Sequence, residues 1–76
     1  MSKLKLVNAH QLETFLLSMG FIKLRTKGSH SFYKHEDGRY TTIAFHSASN
    51  LPRPIIRSIL RQIRVDIVQY NQYFQG

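Results

Sequence analysis

Cysteine is absent from this 76-residue chain. No disulfide and no thiolate zinc site can supplement the core, and the chain suits a reducing compartment. No apolar run approaches the ~20 residues that a membrane-spanning helix needs, and the start lacks the long apolar core of a signal peptide, so a soluble cytoplasmic protein without membrane contact is expected. Acidic residues are scarce as well, four against eleven Lys and Arg, which leaves a formal charge of +7. That excess favours polyanionic partners through phosphate contacts and counterion release, although a basic surface that serves only solubility has the same composition. Repeats, low-complexity segments and linkers are missing too. One domain, residues 1–76, close to the size at which a single core is marginally sufficient, is the expected organisation. The four histidines include no HxxxH pair on a helix and have no acidic cluster beside them, so no metal and no cofactor are expected.

Local signals then order the chain. Asn8 with Gln11 three residues on makes a capping box, Val7 and Leu12 make a hydrophobic staple, and Leu12, Phe15, Leu16 and Met19 recur on one helical face. A helix is predicted over 9–19, ended by Gly20 at the left-handed position of a Schellman motif. From Phe21 the period falls to two. Ile22 and Leu24 should point one way and Lys23, Arg25 and Lys27 the other, as a half-buried strand with a basic outer face. After a tight turn at Lys27-Gly28-Ser29, residues 30–35 and 40–45 read as two more strands, joined by a hairpin at Glu36-Asp37-Gly38-Arg39. Pro52 and Pro54 suit the first turn of a second helix. Its buried stripe is Ile56, Ile59, Leu60 and Ile63, with Ile67 as a further member, while Arg53, Arg57, Arg61 and Arg64 form a cationic ridge on a neighbouring face. The end has two readings: Asp66 with Gln69 restarts a third helix through a second capping box, or helix two continues.

The order α-β-β-β-α predicts an α+β two-layer sandwich, a three-stranded antiparallel meander with two helices on one face and, in the first reading of the end, an extra C-terminal helix. This is the arrangement of a double-stranded-RNA-binding domain. The chemistry concentrates at the first hairpin. Gly28 permits the tight loop, Lys27 brings a cation to it, and His30 is the residue type that gives and takes protons near neutrality. His10, in the first turn of helix one, and His35, beside an acidic turn, are expected to be exposed and inert.

Taken together, Gly20-Phe21, Arg25 followed by Lys27-Gly28-Ser29-His30, an aromatic-bearing strand, Ile43-Ala44-Phe45-His46 and the helix from Leu51 to Gln62 resemble the HicA mRNA-interferase toxins of toxin–antitoxin pairs. The resemblance runs over residues 9–65. Ser31 stands where many relatives have a second histidine, Ala44 where the family has Pro, and Pro54 and Arg64 where it has Gly. The last of these favours a continuous or kinked C-terminal helix. The resemblance implies a dsRBD-like endoribonuclease that cleaves mRNA with His30, is silenced by a HicB-type antitoxin, and is monomeric when free. Lys27, Gly28, Ser29 and Arg25 would support the phosphate. Lys23, Arg53, Arg57, Arg61 and Arg64 are candidates for contact with RNA or antitoxin. His46 matches the family's second histidine, either as the second proton-transfer group or as a structural residue, and the second reading is the one preferred from sequence. The alternative to an enzyme is a non-catalytic RNA-binding module that uses the same basic surfaces.

Overall fold

A computed structural model describes residues 3–75. The order is α1 (Ala9–Ser18), β1 (Ile22–Lys27), β2 (His30–Lys34), β3 (Tyr40–Ala44), α2 (Arg53–Ile63) and α3 (Ile67–Gln75). The sheet is an antiparallel meander in the order β1-β2-β3, as expected, with α1 and α2 packed chiefly over β3. Asn8 Oδ1 accepts from Gln11 N, and Gln11 Oε1 accepts in turn from Asn8 N, so the capping box forms in both directions. At the other end of α1, Gly20 takes φ +95°. Phe21 N donates to Leu16 O and Gly20 N to Leu17 O, the paired bonds of a Schellman ending.

The core unites Leu12, Phe15 and Leu16 of α1 with Tyr33 and Ile43 of the sheet and with Ile56, Ile59, Leu60 and Ile63 of α2. That α2 stripe is the one the helical spacing predicts. Ile67 does not extend it, being a half-buried member of α3. The chain turns between the two helices because Arg64 sits at φ 56°, ψ 46°, with Val65 N donating to Leu60 O and Arg64 N to Arg61 O. Arginine thus holds the left-handed position that normally favours glycine, and the continuous or kinked helix is overturned in favour of a separate α3. Asp66 caps it through Gln69 N at 2.8 Å. Tyr70 is fully buried against Phe15, its hydroxyl donating to Lys5 O at 2.7 Å, and burial pushes its pKa up to about 12.

One strand departs from its pattern. All six residues of β1 are exposed, Ile22 at 61% and Leu24 at 51%, so it is not half-buried. The register slips at Leu24: Lys23 pairs with Tyr33, but Arg25 pairs with Phe32. This β-bulge breaks the two-residue alternation, and as an edge strand β1 lies outside the cover of the helices. Lys23 consequently shares the helix-side face with Tyr33, while Arg25 and Lys27 share the open face with Phe32 and His30.

Candidate active site and its flanking faces

The first hairpin closes through the pair Lys27–His30, leaving Gly28 and Ser29 as a two-residue loop. Gly28 has φ +60° and nothing within 4 Å of a Cβ built on it, so glycine is required there by backbone conformation and not by space. A glycine first in a two-residue loop is a favoured hairpin geometry. The close pairing sets the Lys27 and His30 side chains next to each other on the open face of the sheet.

Strand pairing also delivers the second histidine. His30 stands opposite Ala44, and past the end of β3 Phe45 N donates to Ser29 O at 2.7 Å, which prolongs the ladder beside the turn. His46 follows at once. The His30 and His46 rings meet edge to face with centroids 5.8 Å apart, and both residues are exposed. Two groups able to transfer protons therefore converge with Lys27 at one corner of the sheet. Sequence preferred a structural role for His46; its ring is exposed and meets that of His30.

Hollows flank this corner on several sides, two of them lined by His46. Along the free edge of β3, a groove of about 430 Å³ is lined by His30, Tyr40, Thr42 and Ala44 on the sheet and by Ile55 and Gln62 on α2. A smaller one, about 290 Å³, lies on the helix side between the turn at Gly28–Ser29 and His10, Glu13, Lys23 and Phe45. His10 is exposed, as expected, and its ring packs edge to face on Phe45 at 4.9 Å. Phe45 was invisible as a site residue from sequence, where it reads only as strand. Its one signal is its position next to His46.

Other candidates are dispersed. Lys23 Nζ is 2.6 Å from Glu13 Oε2, on the opposite face from Arg25 and Lys27. Glu13 also accepts from the buried Tyr33 hydroxyl. Partial burial works to raise the Glu13 pKa, but the hydrogen bonds from Lys23 and Tyr33 outweigh it and hold the carboxyl below its ordinary value. Burial first, then the bond to Glu13, pushes the Tyr33 phenol well above its ordinary value. On α2, Arg57 and Arg61 are exposed. Arg53 donates to Leu4 O at 3.2 Å, and Arg64 lies beyond the helix in its left-handed turn, so the four arginines do not form one continuous ridge. His35 is half-buried and not exposed as expected. Its ring packs edge to face on Phe21 at 5.2 Å, its Nδ1 accepts from Asp37 N at 3.1 Å, and Gly20 lies against it. Among the described residues, no three His, Asp or Glu side chains come together.

A search of curated proteins finds no match. A family model described as the HicA toxin of bacterial toxin–antitoxin systems, however, matches residues 9–65, which takes in His30, His46, the hairpin and α2. With α1, the meander and α2 all inside that match and in the order just described, the chain belongs to the HicA toxin family.

Proposed function

We propose that this protein is the cytoplasmic toxin of a HicB-type pair and that it cleaves mRNA as a metal-independent endoribonuclease, with His30 and His46 as the acid–base pair. The 5.8 Å juxtaposition of the two rings beside Lys27 carries this reading. Cleavage through the 2′-hydroxyl needs one group to deprotonate that hydroxyl, another to protonate the 5′-oxygen leaving group, and positive charge for the phosphorane-like transition state. Neighbouring imidazoles can address one phosphodiester together. Lys27, across the hairpin from His30, supplies the charge, with Arg25 two positions further along the same face.

His30→Ala should lower cleavage of an mRNA substrate by ~10²-fold or more, since one positioned acid or base contributes about that much. Growth inhibition should vanish, while melting behaviour, RNA binding and antitoxin binding persist. His46→Ala should cause a comparable loss without a change in Tm, because the residue is exposed. Chelator should make no difference. Full cleavage by a folded His30→Ala protein would remove the catalytic assignment. Retained RNA binding by a wild-type protein that never cleaves would leave a binding module in its place.

A further inference from the structure

Strand pairing arranges the open face of the sheet in rows that run away from the candidate catalytic corner. Lys27 and His30 form the first row, Arg25 and Phe32 the second, and Lys34 and Tyr40 the third. Successive rows are about 6.7 Å apart, two residues of strand rise. The Arg25 guanidinium lies over the Phe32 ring, 4.7 Å from its centroid, and the Phe32 and Tyr40 rings are tilted neighbours at 6.4 Å. Tyr40 is 43% exposed. Among the described residues no helix covers this face, because α1 and α2 pack on the side that buries Tyr33 and Ile43.

Its charge has one sign. Glu13 lies on α1, bonded to Lys23 and Tyr33, and Asp66 caps α3. Glu36 and Asp37 sit in the turn beyond the third row, Asp37 held by Arg39 at 2.9 Å. These four are all the acidic residues in the chain, and none is on the open face. An exposed Tyr40 ring and a half-buried Phe32 ring capped by the exposed Arg25 guanidinium, set among cations, match the demands of unpaired bases, which stack on aromatic side chains and guanidinium planes while cations hold the phosphates. A duplex hides its base faces and offers this surface only its backbone.

We propose that the open face is a stacking platform for single-stranded RNA. Arg25–Phe32 and Tyr40 each receive a base from the nucleotides next to the phosphodiester held at His30. The acidic turn at Glu36–Asp37 bounds the track after the third row. This rests on the reading that RNA is the substrate, and it assigns the stacking of bases to the sheet face.

The test uses full-length His30→Ala protein, so that RNA survives, and anisotropy of a labelled 12-nucleotide RNA as single strand, as duplex and as an abasic strand of equal length. Phe32→Ala and Tyr40→Ala should each weaken single-strand binding about fivefold or more, as expected for loss of one base–aromatic stack. Duplex binding should move less than about twofold, and the salt slope should hold, since no phosphate contact is removed. Phe32→Trp should restore affinity, and on the unsubstituted rings the abasic strand should bind about fivefold or more weakly than the intact strand. That last comparison stands even if Phe32→Ala does not fold. Unchanged single-strand affinity in folded variants, or equal affinity for abasic and intact strands, overturns the platform. So does an effect confined to self-association in sedimentation, which would assign the face to a second copy of the chain. A wild-type protein that binds through these rings yet never cleaves removes the endoribonuclease reading and leaves the platform standing.

Discussion

Arg64→Gly should make this protein more stable, although it deletes a full side chain. Arg64 occupies φ 56°, ψ 46°, where an L-residue is strained by about 1–2 kcal/mol through contact of Cβ with the carbonyl that follows. Glycine removes that strain but gives the unfolded chain more freedom, which costs about 0.4–1 kcal/mol. The side chain itself is exposed and makes none of the hydrogen bonds or ion pairs seen among the described residues, so little else changes. The net gain is roughly 0.5–1 kcal/mol, which corresponds to about 3–6 °C in Tm for a domain of this size. Arg64→Ala is the control, because it removes the same guanidinium but keeps the Cβ, and its Tm should stay within about 2 °C of wild type. Thermal melts followed by circular dichroism decide the matter. A lower Tm for Arg64→Gly, or an equal rise in both variants, would refute the strain argument. The same variants test Arg64 as a candidate RNA contact, since loss of one phosphate contact should lower the salt slope of RNA binding by about one unit in both.

Arg57→Gln combined with Arg61→Gln should leave the fold intact and reduce the salt slope for RNA by about one to two units, or else weaken antitoxin binding, whereas no change in either would make these arginines plain solvated surface. Stability measured by urea melts should fall on both sides of neutrality. The lowered pKa of Glu13 means its contribution is present above its ordinary value near 4.5 and is lost as pH falls through the folded value, so Glu13→Gln should flatten the acid limb. The raised pKa values of Tyr33 and Tyr70 mean the opposite: their contribution is complete below about 10 and is lost as pH rises through the folded values, so Tyr33→Phe should soften the alkaline limb. His35→Ala should cost about 1–2 kcal/mol through the lost ring contact with Phe21 and the lost acceptor for Asp37 N, with the rate of RNA cleavage by folded protein unchanged.

Capping residues, glycine at special backbone positions and helical periodicity are interactions between near neighbours in the chain, and for that reason α1, the Gly28 turn and the buried stripe of α2 were legible in the amino-acid order. The same holds for the nearness of His30 to Lys27, because a hairpin loop only two residues long fixes it. What lay beyond reach depends on partners distant in sequence. The bulge at Leu24 exists only relative to β2, and it turns Lys23 away from Arg25 and Lys27 toward Glu13, ten residues earlier. His35 gains a structural role only when the Schellman ending of α1 brings Gly20 and Phe21 against it. Arg64 stands where the family has Gly and carries no local signal for a left-handed turn; packing of Val65 and Tyr70 into the core imposes one. His46 met His30 because β3 runs antiparallel to β2 and the ladder continues through Phe45 and Ser29. Sequence supplied the titratable and charged groups, and long-range strand register decided which of them stand together.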